Sequence, residues 1–264
     1  MGEAQSGWRR RRQGLSGAHR QPALKLAGES GSSMADLLQL ERVSFVREGR
    51  LDDRFSLMIT ALSLAPEQVL GVVGPSGCGK STMIDLLALL RRPTALARFD
   101  LLGRSIARLW ASGGVAACTA FRAQHIGVVL QTGGLLPNLN ALENILAPQR
   151  LLGKPDRAHV GRLMESLGIS ELATRLPAQL STGQRQRVAI ARALSHRPAL
   201  VLADEPTASL GVEHGPRAMQ LLLANTRQTG AALVIVSHDH TLLAESGIDT
   251  VQCHVDDDGV RIEA

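Results

Sequence analysis

Three short stretches of this 264-residue chain combine hydroxyl, ammonium, carboxylate and amide groups with glycines at spacings that suit chemistry on phosphates. The first, GPSGCGKS at 74–81, fits the pattern G-x-x-x-x-G-K-[ST]. Its glycines let backbone N–H groups curl around phosphate oxygens without Cβ clashes. Lys80 is spaced to reach β- and γ-phosphates, the following helix N-terminus adds partial positive charge, and Ser81 offers a hydroxyl to Mg²⁺. A chance match somewhere in a chain of this length is on the order of one in a hundred. The second stretch, ALVLADEPT at 199–207, ends an apolar run in two adjacent carboxylates. Asp204 is placed to hold Mg²⁺, usually through water, and Glu205 to polarise an attacking water. Alone, such a pair would merely solvate a strand end; beside a phosphate loop it acquires a task. The third stretch, LSTGQRQRVAIARAL at 180–194, opens like another phosphate-facing turn, with a hydroxyl, a glycine and an amide ahead of a helix.

These groups need rigid supports, and the apolar pattern supplies them. VLGVVG (69–74) is a continuous apolar run that ends in glycine and leads to a helix from about Lys80, the strand–turn–helix context a phosphate loop requires. IGVVL (126–130), ALVLA (199–203) and AALVIV (231–236) are further uninterrupted runs, as expected of parallel strands buried on both faces. LLQLERVSF (37–45) and FSLMITALSL (55–64), joined by VREGRLDDR, predict an antiparallel pair. Residues 138–197 read mostly as helix, in LNALENILAPQRLL, RAHVGRLMESLG and RQRVAIARAL. The expected fold is α/β, with a helical insertion between IGVVL and ALVLA.

Composition narrows the choices. An apolar fraction of 44% supports a real core, and with four Phe, two Trp and no Tyr that core must rest on aliphatic side chains. The net charge of +5 is unevenly spread. Residues 1–33 hold six Lys/Arg against Glu3 and Glu29, a net +4, whereas residues 34–264 hold 23 against 22, a net +1. A nearly neutral folded part gives no case for a broad nucleic-acid surface. The three cysteines (Cys78, Cys118 and Cys253) show no metal spacing and suggest a reducing compartment. No apolar run approaches 18 residues, so no membrane span is expected. Residues 1–33 lack an apolar segment after their arginines and so do not read as a secretory signal. They read as a disordered basic arm, or as sequence upstream of a start at Met34.

GPSGCGKST, LSTGQ, ALVLADEPT and VIVSHD occur in the order and spacing of an ATP-binding cassette (ABC) ATPase, and the chain resembles that family from Met34 to about Asp239. A GTPase would need an NKxD-type base reader, which the sequence lacks. The resemblance implies a P-loop NTPase fold: a RecA-like core at about 34–131 and 198–264 with an antiparallel β subdomain, and an α-helical subdomain at about 132–197. It implies ATP and Mg²⁺ as ligands. Nucleotide contacts would come from Gly74, Pro75, Ser76, Gly77, Cys78, Gly79, Lys80, Ser81 and Thr82. Ser81, Gln131 and Asp204 would hold the metal, Glu205 would act as base, and His238 of VSHD would contact the γ-phosphate. Phe45 is the aromatic expected to stack on adenine. In this family two nucleotide-binding domains pack head to tail, so Ser181, Gly183 and Gln184 of one copy would face the nucleotide of the other. That would explain why one chain has two phosphate-facing turns.

Three departures stand out. Thr182 occupies a position that is usually glycine, Gly211 in ASLG one that is usually aspartate, and TALARFD (94–100) lacks a common Ser-Gly. The stretch FRAQHIGVVLQTGGLLPNLNALENILAP and the Ala before DEPT resemble the LolD/MacB/FtsE type of bacterial cassette. That type implies a separate integral membrane permease that docks on residues 132–197, and a cytoplasmic location on the inner face of the membrane. A nucleotide-gated scaffold with little turnover is the alternative suggested by Thr182 and Gly211. A soluble cassette protein acting on nucleic acid is disfavoured by the neutral core.

Overall fold

The computed structural model describes residues 36–47, 55–256 and 259–263. The basic segment 1–33 and most of the loop expected at 46–54 lie outside the described residues. In chain order the elements are β1 (Leu38–Arg47), β2 (Phe55–Leu64), β3 (Val69–Val73), α1 (Lys80–Leu87), β4 (Arg98–Leu101), β5 (Arg104–Ser105) and α2 (Ile106–His125). They continue with β6 (Ile126–Val129), α3 (Ala141–Leu151), α4 (Arg157–Ser166), α5 (Thr182–Leu194), β7 (Leu200–Asp204) and α6 (Gly211–Thr229). Last come β8 (Ala232–Ser237), α7 (His240–Glu245), β9 (Asp249–Asp256) and β10 (Gly259–Glu263).

Among the described residues the strands form one ten-stranded sheet in the order β5-β4-β1-β2-β10-β9-β3-β8-β7-β6. The half from β9 to β6 is parallel. In the other half β1 pairs antiparallel with both β2 and β4. The uninterrupted apolar runs are explained by burial on both faces. In β7, Leu200 and Leu202 join one core and Val201 and Ala203 the other; β8 divides its residues in the same alternating way. The first core packs β1–β3 against α1 and α2. The second packs the opposite face of the parallel strands against α3–α6. Truncating a side chain such as Ile235, fully buried in the second core, to alanine costs about 2–5 kcal/mol.

This sheet places the carboxyl ends of β3, β7 and β8 side by side, because β3 pairs β8 and β8 pairs β7 in parallel. In parallel α/β sheets such ends are where ligands bind. The three turns that carry the phosphate loop, the Asp204–Glu205 pair and His238 all leave from this edge. Between β6 and β7 the described residues form only helices and turns.

Candidate functional site

A cavity of about 420 Å³ opens at this edge, lined among others by Ser76, Gly77, Gly79, Lys80, Ser81, Thr82, Gln131, Asp204, Glu205 and His238. The loop from Gly74 enters α1 through Gly79, whose φ of +91° is left-handed and whose face is covered by the Phe55 ring. A Cβ on Gly79 would stand 2.8 Å from Phe55 Cζ, so both backbone conformation and packing demand glycine. No side chain caps α1 at this residue, unlike the capped N-termini of α3 and α5. Lys80 is buried and donates to the carbonyls of Gly74 (2.8 Å) and Pro75 (2.9 Å). These bonds hold the ammonium under the loop, within its curve.

The opposite wall is acidic. Burial holds the Asp204 carboxyl above its ordinary range, opposed by the hydrogen bond from Ser81 and reinforced by Glu205 and Asp85. Its Oδ1 is buried without a hydrogen-bond partner. A desolvated carboxylate oxygen beside a serine hydroxyl is a donor set that fits a hard divalent cation. Glu205 adopts φ +46°, a strained left-handed conformation for a side chain that is not glycine, costing on the order of 1–3 kcal/mol. Its backbone N–H donates to Val236 O at 3.0 Å, which ties the turn to β8. The carboxylate is held from two directions: Oε1 lies 2.9 Å from His238 Nδ1, and Oε2 accepts from Ser237 Oγ at 3.3 Å. His238 is 56% exposed, so its ring can meet a ligand while remaining in contact with Glu205. Gln131 lies on the same cavity, and its carbonyl accepts from Ser209 Oγ at 3.5 Å, linking it to the turn after Glu205.

The structure does not bring every expected residue to this cavity. Gly74, Pro75 and Cys78 are not among its lining residues: the carbonyls of the first two hold Lys80, and the Cys78 side chain is buried. Phe45 is a correction. It packs on the first core with the Arg91 guanidinium 5.4 Å from its ring centre and is not among the residues that line the cavity. The aromatic on the cavity wall is Phe55, with the Arg47 guanidinium 5.8 Å above its ring. In the β1–β2 register Phe45 pairs with Leu57 and Arg47 with Phe55, so Phe45 lies one same-face position inward. Sequence reasoning missed Arg47 and Phe55. The signal available was their position at the two mouths of the predicted hairpin loop.

Ser181, Thr182 and Gly183 line a different cavity of about 640 Å³, together with Arg187, Ser209, His214 and Arg217. Ser181 and Gln184 form a capping box on α5: Gln184 N donates to Ser181 Oγ (3.3 Å) and Ser181 N donates to Gln184 Oε1 (2.9 Å). Thr182 begins the helix with negative φ, so glycine is not required there, and Arg185 donates to its hydroxyl at 3.0 Å. Gly211 has φ +69° with open space around a built Cβ, and shares a third cavity of about 450 Å³ with Glu205 and His238.

Among the described residues no helix is long and apolar enough to cross a membrane. A model of the ABC transporter family matches residues 57–208. The lipoprotein-releasing system ATP-binding protein LolD 1 of Rhodospirillum rubrum is 41% identical over 184 residues, covering 69% of this chain and 79% of that protein. LolD of Maricaulis maris is 39% identical over 212 residues, covering 78% of this chain and 88% of that one. Among solved structures, the dimeric bacterial ABC transporter cassette MJ0796 superposes with a TM-score of 0.71 at 28% identity, over 86% of this chain and 94% of that one. A dimeric post-hydrolysis state of MJ0796, bound to ADP and Pi, gives a TM-score of 0.66 at 29% identity, over 78% and 89% of the two chains. This chain belongs to the ATP-binding cassette family: it is a P-loop ATPase subunit of an ABC transporter, similar to the LolD proteins.

Proposed function

We propose that the chain hydrolyses ATP as one half of a head-to-tail pair that drives a separate membrane permease of the LolD/MacB/FtsE-associated kind. The observation that carries this reading is the Glu205–His238 contact of 2.9 Å, on the wall that faces the phosphate loop. The triphosphate lies against the backbone of residues 76–82, and Lys80 shifts a donor from the Gly74 and Pro75 carbonyls to the β- and γ-oxygens. Ser81, Gln131 and Asp204 would hold Mg²⁺, which supplies charge neutralisation on the phosphate oxygens when bound. Glu205, fixed by Ser237 and His238, accepts a proton from the attacking water. His238 then donates toward the γ-phosphate from its exposed edge. Phe55 takes the place given to Phe45 and stacks on the base, with Arg47 beside it.

Ser181 and Gly183 stand on a separate cavity, and a second copy presenting them would complete the γ-phosphate shell. A homodimer is the simplest such pair. We take residues 34–131 and 198–264 as the nucleotide-binding core, and 132–197 as the helical subdomain that receives the permease. The chain would then sit on the cytoplasmic face of the membrane through that partner. The names of its relatives make lipoprotein release the first process to test.

To test this, the chain is tagged in its native cell, trapped as Glu205→Gln with ATP and Mg²⁺, and recovered from solubilised membranes. Co-purification of a permease with a large extracytoplasmic domain is expected. Recovery from the soluble fraction alone, without a membrane protein, overturns the permease reading. Restoring a carboxylate by Gly211→Asp, at a left-handed position that Asp tolerates better than most residues, tests the low-turnover scaffold. A readily measured parental rate that this change leaves unaltered removes that alternative.

A further inference from the structure

We propose that Cys78 and Cys253 are an oxidation site at the root of the phosphate loop, and that a reversible disulfide between them closes the loop to nucleotide. The inference rests on the reading of residues 74–82 as the nucleotide site and adds a means of regulating it. Two of the three cysteines, 175 residues apart in sequence, meet here because β9 runs parallel to β3, with Gln252 opposite Val73. The Cys253 thiol donates to the Cys78 carbonyl at 3.1 Å. Gly74 leaves room for the meeting: a Cβ built on it would stand 2.7 Å from Cys253 Cβ and 2.9 Å from Cys78 Sγ. The Cys78 sulfur and the Cys253 β-carbon thus lie over the bare face of one glycine, with the Cys253 sulfur on the Cys78 carbonyl beside them, and the short geometry of a disulfide is what the experiment below tests.

The chemistry requires an oxidant, and the fitting class is a small hydroperoxide, since both side chains are buried (2% and 4% exposed) and larger disulfide reagents would be excluded. Cys78 sulfur attacks one peroxide oxygen and the O–O bond breaks. Cys78 becomes a sulfenic acid, and the other oxygen takes the thiol proton and leaves as water from hydrogen peroxide, or as an alcohol from an alkyl hydroperoxide. Cys253 sulfur then forms the S–S bond and expels the sulfenic oxygen as water, which carries off the second thiol proton. Two electrons pass from the sulfur pair to one peroxide. Lys80 Nζ, 3.9 Å from Cys78 Sγ, is the positive charge beside the departing oxygen. Burial, reinforced by the neighbouring Cys78, holds the Cys253 thiol above its ordinary range. The Lys80 ammonium beside its sulfur assigns Cys78 as the attacking residue and Cys253 as the resolving one. The bond would replace the Cys253–Cys78 carbonyl contact and draw Cys78 toward β9, turning the N–H groups that flank it away from the phosphates.

The experiment uses the full chain with hydrogen peroxide. Linkages are mapped by mass spectrometry of non-reduced peptides, and ATP affinity is measured before oxidation, after it, and after dithiothreitol. The expected result is a Cys78–Cys253 peptide, with Cys118 in α2 still a thiol. ATP affinity should fall by about tenfold or more, the size of one misplaced charge-assisted hydrogen bond, and recover on reduction. Prior addition of ATP should slow the linkage. Cys253→Ser should bind ATP as the parent does and keep that affinity after peroxide. Absence of the linked peptide in the parent chain overturns the inference without reliance on any variant, and so does a linked chain that binds ATP as well as the reduced one. A reduced chain that binds no ATP overturns instead the nucleotide-site reading beneath it.

Discussion

The loop before α1 and the turn before α5 are built by the same local device, a polar turn feeding a helix N-terminus, yet the tertiary structure treats them differently. The first is surrounded. Gly79 enters α1 without a side-chain cap, Lys80 is buried beneath, Phe55 covers one side and Asp204, Glu205 and His238 face it from β7 and β8. The second turn caps itself, because Ser181 and Gln184 satisfy each other's backbone. Its cavity is walled by basic side chains such as Arg187 and Arg217, with no carboxylate pair opposite. A triphosphate and a metal would therefore find charge, donors and acceptors at the first turn. At the second they would find hydroxyls and basic side chains, and no carboxylate among the lining residues. A helix N-terminus makes a phosphate-facing turn; only the strands that converge on it make a site. The second turn gains a counterpart if another copy brings its own first turn, which is the physical content of the proposed pair.

Removing the base at the first turn should have the largest effect. Glu205→Gln is expected to lower steady-state hydrolysis by about 10²–10⁴-fold while ATP binding and an ATP-dependent dimer survive. A parental rate of phosphate release would remove Glu205 from that role. Lys80→Ala should weaken ATP binding by about a hundredfold, since it deletes charge-assisted contacts worth about 1.5–3 kcal/mol each. Undiminished affinity by titration calorimetry would contradict the place given to the ammonium.

At the second turn the expectation separates binding from turnover. Ser181→Ala should leave ATP affinity of the single chain unchanged and cut both hydrolysis and ATP-driven dimerisation by roughly tenfold. It should also cost about 1 kcal/mol of stability through the lost cap, read in denaturant. A drop in single-chain ATP affinity would mean that the two turns serve one nucleotide in one chain. The smallest effect distinguishes two phenylalanines. Phe55→Ala should weaken ATP binding several-fold through lost stacking of about 1 kcal/mol or more, whereas Phe45→Ala should leave affinity alone and lower stability. The reverse pattern would restore Phe45 to the base site.

The parts of the fold that could be read early are those whose local pattern has a single reading. The runs later seen as β3, β6, β7 and β8 are apolar at every position because both faces are buried, and α3, α4 and α5 carry helical periodicity. By contrast, α2 escapes such a reading because Gly113 and Gly114 interrupt it. Gly114 has φ 56° and ψ −142°, so two helical pieces meet there at a break. The polar strands β9 and β10 escape it too, since Thr250, Gln252 and His254 dilute the apolar signal of β9. The candidate residues of the three motif stretches were legible because phosphate, metal and proton chemistry demand particular side chains at short spacings. Phe55 was not, because its position depends on the register by which Arg47 meets it across two strands.

The amino-acid sequence alone determined the chemistry available to this protein: a phosphate loop, a carboxylate pair, a histidine, a second phosphate-facing turn and the buried strands to carry them. Each is a local pattern, set by backbone conformation and by side chains within a few residues of one another. The tertiary structure decided which of these groups share a cavity, that Phe55 and not Phe45 stands on its wall, and that Cys253 meets Cys78 over Gly74. Those outcomes follow from strand order and register across the sheet. They join residues as far as 175 positions apart, and no local propensity encodes them.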